Sequence, residues 1–197
     1  MKQILMLILL FVCTSGKAQF VSSNDTLRDW QLKIKNKPQK SVVDYYLLLP
    51  DAFFDCELGM EFNKSQRLEA IVIKDVVNGY VAFKGAYVFT IALFKDRVND
   101  LDYVAISSND SGRGNTCGGI NAVMQFTPNG RWDYRHDVLP SKKQIDQKVR
   151  KYYKDPDDVS FHYNLPRHGL IISLNDDSSN EIICKMKWNI NKFELIE

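Results

Sequence analysis

The sequence predicts an α+β fold: a single domain of mostly antiparallel β-sheet, arranged as hairpins in a meander and covered by two or three helices. Two Asn-Gly pairs, Asn78-Gly79 and Asn129-Gly130, each separate two apolar segments. Both residues of such a pair tolerate positive φ, which a two-residue type I′ hairpin turn requires. The chain is also rich in aromatic residues, with 11 Phe, 9 Tyr and 3 Trp, and aromatic side chains favour strands.

The N-terminus has the features of an export signal. Lys2 precedes an apolar run over residues 4–12, which is too short to span a bilayer, and Gly16-Lys17-Ala18 places small residues at the −3 and −1 positions of a cleavage site. We therefore expect residues 1–18 to be a signal peptide and the mature protein to be periplasmic or secreted. A lipoprotein anchored through Cys13 is disfavoured because no small residue precedes that cysteine.

The mature chain is predicted to carry no net charge. The 26 basic residues include Lys2 and Lys17, which are removed with the signal peptide, so 24 basic and 24 acidic residues remain. A balanced chain lacks the broad basic field that attracts nucleic acid or an anionic membrane. We expect a protein or small-molecule partner, no nucleic acid and no stable membrane insertion after cleavage.

Three cysteines remain after cleavage: Cys56, Cys117 and Cys184. An oxidising compartment favours disulfides, but an odd number leaves either one pair with a free thiol or three buried thiols. Cys184 lies in an apolar run and is predicted to be a core residue. A chain of this length does not need a covalent staple, which favours no essential disulfide.

Before the sheet, the sequence predicts an arm and a helix. Residues 19–40 are interpreted as a loosely held N-terminal arm that precedes a single domain over residues 41–197. Within the arm, alternating apolar residues indicate a short strand over residues 30–34.

The first helix is predicted over residues 41–49. Ser41 is its cap, and Asp44 completes a variant of the capping box. The segment is apolar nearly all round, so we expect it to be buried against the sheet. Pro50 ends it, and a loop over residues 56–65 leads to the strands.

The strands are predicted from apolar and β-branched runs bounded by turn residues. In chain order they are residues 68–77, 80–84, 87–95, 101–107, 120–127, 131–134, 159–165, 170–174, 181–188 and 192–196. An exposed amphipathic helix is predicted between the sixth and seventh strands, over residues 141–153. Ser141 caps this helix, and Ile145 and Val149 recur at helical spacing.

The Gly-rich segment over residues 109–119 is the stretch most typical of a functional loop. Its glycines allow backbone amides to converge, and Arg113 is suited to pair with a carboxylate or phosphate. We therefore expect a non-enzymatic binding module. Its predicted binding residues are Arg113, Trp132, Tyr134 and Arg167.

Two alternatives remain open. A hydrolase is possible in principle, with Cys117 as nucleophile and His136 as base. Asp137 is poorly placed to orient the imidazole of His136, because adjacent residues on a strand point to opposite faces. The second alternative is an envelope inhibitor or immunity-type protein, which acts through its surface alone.

No metal site or cofactor is predicted. The chain has no Cys-x-x-Cys and no His-x-x-x-His, and the spacing of His162 and His168 fits no common zinc site. The acidic segments over residues 155–158 and 175–180 lack the spacing of an EF-hand loop and are interpreted as turns.

Several phrases of the chain together resemble a family of small exported bacterial proteins of unassigned function. They are Asp44-Tyr45-Tyr46-Leu47-Leu48-Leu49-Pro50, Asn78-Gly79-Tyr80, Ala92-Leu93-Phe94-Lys95, Cys117-Gly118-Gly119, Trp132 with Leu139-Pro140, Leu165-Pro166-Arg167-His168-Gly169 and Lys187-Trp188. The family's loop is richer in Gly and Cys and has a second cysteine nearby, whereas this chain has Cys117 alone. The resemblance implies an exported single domain and carries over no activity and no catalytic residue.

Overall fold

A computed structural model describes residues 27–54, 61–85, 87–108, 120–154 and 160–196. These residues form three layers: a group of helices, a six-stranded antiparallel sheet and a four-stranded antiparallel sheet. The predicted α+β class with mostly antiparallel sheet is confirmed.

The described part contains four α-helices, one more than the upper prediction. They are α1 (Asp29–Lys35), α2 (Val42–Leu47), α3 (Lys64–Glu69) and α4 (Lys142–Val149). Two short 3-10 helices are also present, Asp51–Phe53 and His136–Val138.

The strands form two meanders in which each strand pairs with the next one along the chain. The six-stranded sheet contains β1 (Ile71–Asp75), β2 (Tyr80–Lys84), β3 (Val88–Asp96), β4 (Leu101–Ser108), β5 (Asn121–Phe126) and β6 (Trp132–Tyr134), in that spatial order. The four-stranded sheet contains β7 (Phe161–Asn164), β8 (Ile171–Asp176), β9 (Ile182–Asn189) and β10 (Lys192–Ile196).

The six-stranded sheet is buried on both faces. On β3, Phe89 and Ile91 face the helical layer, whereas Ala92 and Phe94 face the four-stranded sheet. This follows from the alternation of side chains along a strand. Cys184 of β9 lies in the core between the sheets, as predicted, and burial raises the pKa of its thiol.

Both Asn-Gly pairs close hairpins, but the predicted two-residue type I′ turns are wrong. Of these four residues only the glycines have positive φ, +67° at Gly79 and +84° at Gly130. The β1–β2 loop has four residues, 76–79, and the β5–β6 loop has three, 128–130, with Gly130 in the left-handed position that follows a type I turn. The hairpin signal was correct because glycine supplies that left-handed residue in either turn.

The predicted strand over residues 30–34 is wrong, because these residues belong to α1. Gln31 and Ile34 point inward at helical spacing, whereas Leu32, which a strand would have buried, is 39% exposed. The start of the predicted strand over residues 68–77 is also wrong, because Leu68 lies in α3. Asn63 and Gln66 form the capping box that begins α3, a signal the sequence analysis missed.

The other helix starts follow the predicted caps. Ser41 accepts a hydrogen bond from the Asp44 amide, and the Asp44 carboxylate accepts from the Ser41 amide at 2.9 Å. Ser141 and Gln144 form the equivalent box at α4. All six residues of α2 are buried, as its continuous apolar pattern predicted.

A buried arginine links the helical layer together. Arg67 is 1% exposed and donates to the Leu47 carbonyl at 3.0 Å, to the Leu49 carbonyl and to Asp51 Oδ1 at 2.6 Å. The second oxygen of Asp51 accepts from Arg28, which precedes α1. One guanidinium thus joins α3 to the end of α2 and, through Asp51, to the start of α1.

We expect Arg67→Met to lower the free energy of unfolding by about 3–5 kcal/mol, because it removes one member of a buried charged network and leaves Asp51 and two carbonyls without this donor. Arg67→Lys keeps the charge but cannot donate to several acceptors at once, so it should fall between the wild type and the Met variant. Urea unfolding measures the series. A Met variant within about 1 kcal/mol of the wild type would contradict this role.

Ile190 is the residue with the least favourable backbone in the β9–β10 turn. Its φ is +60°, a left-handed value that a β-branched side chain rarely adopts, and its side chain is 61% exposed. We expect Ile190→Gly to raise the free energy of unfolding by about 1 kcal/mol, because glycine adopts this conformation without strain. Thermal unfolding should shift upward by about 2–4 °C.

The matched control is Ile171→Gly, at an exposed isoleucine that is the first residue of β8 and pairs with Lys187 of β9. There the same substitution should lower stability, because glycine replaces a β-branched residue in a paired strand. Equal effects at the two positions would refute the strain at Ile190.

Candidate functional site

A cleft of about 510 Å³ lies at one end of the six-stranded sheet. It is formed by the β3–β4 hairpin, the end of β5 with the turn after it, and the connection between α1 and α2. Its lining is predominantly polar and includes four cationic side chains, at Lys35, Lys40, Lys95 and Arg97.

Strand register builds the floor of the cleft. Lys95 of β3 pairs with Asp102 of β4, and Phe126 of β5 pairs with Trp132 of β6. The β4–β5 register that pairs Val104 with Met124 places Phe126 level with Asp102, two residues further on. These four side chains therefore form one row across four neighbouring strands.

This row lies on the face of the sheet that the helices cover. Leu93, Val104 and Met124 form the next row and pack in the core beneath the helical layer. Side chains two residues apart on a strand share a face, so Lys95, Asp102 and Phe126 continue that face beyond its packed region. The cleft is thus the uncovered end of a surface that is core elsewhere.

Tyr45 of α2 fixes the position of Asp102. Its hydroxyl donates to Asp102 Oδ2 at 2.8 Å, and its side chain is 7% exposed. Burial and the adjacent Asp102 charge raise the pKa of Tyr45 above the ordinary tyrosine value, so the hydroxyl remains a donor. In the described part of the chain, Asp102 Oδ1 has no hydrogen-bond partner.

The acidic side chains of the cleft are largely occupied by internal hydrogen bonds. The Asp96 carboxylate accepts from the side chain of Asn99 at 2.7 Å and from the amides of Val98 and Asn99, which hold the pKa of this carboxyl below its usual range. Asp102 is held by Tyr45. In the described part of the chain, the carboxylate of Asp100, at the exposed tip of the hairpin, accepts no such hydrogen bond.

In the described ranges the cationic side chains of the cleft are not paired with its carboxylates, although Lys40 Nζ donates to the Lys37 carbonyl at 2.9 Å. Among the residues that the structure describes, none of Lys35, Lys40, Lys95 and Arg97 forms an ion pair with a carboxylate, although the neighbouring Lys37 pairs with Asp44 at 2.5 Å. The cleft lining therefore holds four cations and three carboxylates, one more cation than carboxylates, and in the described ranges none of the four cations is held in an ion pair.

Trp132, a predicted binding residue, lies behind the cleft. It is 5% exposed, its Nε1 donates to the Leu48 carbonyl at 3.0 Å, and its ring meets Phe126 and Tyr45 edge-on with centroids 5.2 and 6.1 Å away. It thus packs against two residues of the cleft lining from the side. Tyr134, half-buried in the next row, stacks on His136 with ring centroids 6.0 Å apart.

The structure does not bring all the predicted binding residues together. Arg167 donates from Nε to Asp75 Oδ2 at 2.9 Å, at the end of β1. β1 and β6 are opposite edges of the sheet, and five strand spacings separate them by about 24 Å. Arg167 and Trp132 therefore belong to different surfaces.

Arg113 and Cys117 lie outside the described residues. Ser108 and Asn121, the strand ends that flank residues 109–119, lie at the end of the sheet opposite the cleft. His136, the base of the hydrolase alternative, is exposed in the 3-10 helix after β6.

The described residues contain no group of three or more His, Cys, Asp or Glu side chains placed to hold a metal ion. Within the same ranges, every helix is too short or too polar to traverse a bilayer.

Comparison of the chain with models of protein families, with curated proteins and with solved structures finds no match in any of the three. Inference about the function of the protein therefore depends on the geometry of the cleft.

We expect Tyr45→Phe to lower the free energy of unfolding by about 1.5 kcal/mol at neutral pH, because it removes a hydrogen bond to a charged acceptor. The pKa of Tyr45 is raised in the folded protein, so its contribution is complete below about pH 10 and is lost as the pH rises further, where the unfolded chain ionises first. The stability gap between wild type and variant should therefore narrow above about pH 10.

Urea unfolding at a series of pH values measures this gap. Tyr152→Phe is the control, because that side chain is 63% exposed and its change should alter stability by less than about 0.5 kcal/mol. A gap for Tyr45→Phe that widens with rising pH would contradict the assignment.

Proposed function

We propose that the protein is an exported, non-enzymatic binding module that takes an anionic ligand in the cleft between the β3–β4 hairpin and the α1–α2 connection. The observation that carries the proposal is the set of four cationic side chains around the cleft, none of which has an ion-pair partner in the described ranges. Charge-assisted hydrogen bonds from such groups to a carboxylate or phosphate are among the stronger polar interactions of proteins.

The arrangement of the floor supports binding more than catalysis. Asp102 pairs with Lys95 across the neighbouring strands, and Tyr45 fixes one of its oxygens. The floor of Lys95, Asp102 and Phe126 lies on paired strands, and Trp132 packs against Phe126 at the end of the same row. A cleft preorganised in this way loses little conformational freedom when a ligand binds.

The N-terminal pattern of residues 1–18 supports export, and the balanced charge of the mature chain agrees with a local site rather than a broad basic surface. The ligand would thus be recognised by the four cations of one cleft.

Binding of anionic probes tests the proposal. Isothermal titration with an acidic oligosaccharide, trigalacturonate, and with an acidic peptide, triaspartate, should show binding of at least one at about 20 mM salt and weaker binding at about 200 mM salt. The double variant Lys95→Gln/Arg97→Gln should weaken that binding by about tenfold or more, since it removes two charged donors.

The matched control is Lys74→Gln/Lys84→Gln, which removes two exposed lysines of β1 and β2 outside the cleft. It should change the affinity by less than about twofold. Equal losses in the two double variants, or no binding of either probe at millimolar concentration, would overturn the proposal.

A further inference from the structure

The cleft contains an acceptor among its donors. Asp102 lies directly opposite Lys95 on the neighbouring strand, where paired Cβ atoms are about 5 Å apart, yet the two side chains form no ion pair. Tyr45 occupies Oδ2, and within the described residues Oδ1 is without a partner. The floor thus offers a cation and a carboxylate oxygen side by side.

The pair of Lys95 and Asp102 favours some classes of anionic ligand over others. An inorganic anion or an acidic side chain at Lys95 would lie close to the Asp102 charge and be repelled by it. A ligand that bears hydroxyl groups next to its anionic group offsets this cost, because a hydroxyl donates to Oδ1 while the anionic group meets the cations.

An aromatic ring completes the floor. Phe126 is the next residue of the row after Asp102, is half-buried, and meets Trp132 edge-on at 62°. Since Trp132 is itself held by the Leu48 carbonyl, the ring of Phe126 has fixed support. It provides a small apolar surface beside the polar groups, suited to the apolar face of a ring-shaped ligand.

We infer that the ligand of the cleft is an acidic sugar, whose carboxylate binds Lys95 and Arg97, whose hydroxyls donate to Asp102 and whose ring packs on Phe126. This inference rests on the proposed anion-binding function and narrows its ligand class. The volume of about 510 Å³ lies within the range typical of small-ligand sites and suits a short oligosaccharide.

The test compares three classes of probe by isothermal titration at low salt. The acidic sugars are trigalacturonate and a hyaluronan tetrasaccharide, the neutral sugar is maltotriose, and the acidic peptide is triaspartate. At least one acidic sugar should bind about tenfold or more tightly than both the neutral sugar and the peptide, because only it satisfies the cations and Asp102 together.

Asp102→Asn gives a result of opposite sign for the two anionic classes. It should weaken binding of the acidic sugar by about tenfold, since it removes a charged acceptor, and strengthen binding of triaspartate, since it removes a repulsive charge. The control Asp133→Asn, at an exposed residue of β6 outside the cleft, should leave both affinities within about twofold. Thermal unfolding confirms that each variant is folded.

The outcomes separate this inference from the proposed function. If triaspartate binds as tightly as the acidic sugars, the anion-binding function stands and the sugar inference is overturned. If maltotriose binds as tightly as the acidic sugars, or no probe binds, both are overturned. Tight binding of an acidic sugar that Asp102→Asn leaves unchanged also refutes the inference, because Asp102 is its distinguishing contact.

Discussion

The buried guanidinium of Arg67 is the constraint on which the helical layer depends. A charge removed from water is costly unless it is paired and fully hydrogen-bonded, and burial lowers the pKa of this group while Asp51 opposes that change. Its acceptors include the carbonyls of Leu47 and Leu49, and Trp132 donates to the carbonyl of Leu48 between them. The end of α2 is thus capped by side chains from α3 and β6, which fixes the helix over the sheet and places Tyr45 above β4.

Local signals explain what the sequence predicted correctly. The hairpins and the starts of α2 and α4 depend on residues within a few positions of each other, so their patterns are visible in the chain. The sequence did not predict α1, because Trp30, Leu32 and Ile34 alternate with polar residues as in a strand. In the structure the polar residue Gln31 faces inward instead. Gln31 is buried because its amide bonds the Leu47 carbonyl at 3.2 Å and accepts from the Arg28 amide at 3.2 Å. Such a partner in another helix is not visible in local periodicity.

The cleft was not predictable in the same way. Lys95, Asp102 and Phe126 read as strand-end and turn residues, and none of them belongs to a motif. Their common row exists only because the β3–β4 and β4–β5 registers align them, and register is set by loop geometry and by core packing along the whole strand. Trp132 was predicted as a binding residue from its type, but its indole is used in packing, one layer behind the ligand-facing residues.

Turn chemistry also shapes the distribution of charge in the cleft, whose lining holds four cations and three carboxylates. Three hairpins begin with an aspartate whose carboxylate accepts the amide three residues further on, and each loop has a left-handed residue in its fourth position. The aspartates are Asp75, Asp96 and Asp176, and the left-handed residues are Gly79, Asp100 and Asn180. In the β3–β4 loop, the amides of Val98 and Asn99 and the Asn99 side chain hold the Asp96 carboxylate within its own turn, while the flanking Lys95 and Arg97 are exposed. The hydrogen bonds that close the hairpin therefore also keep the Asp96 carboxylate from pairing with the adjacent cations, so the arrangement of charge at this end of the sheet depends on the turn as well as on composition.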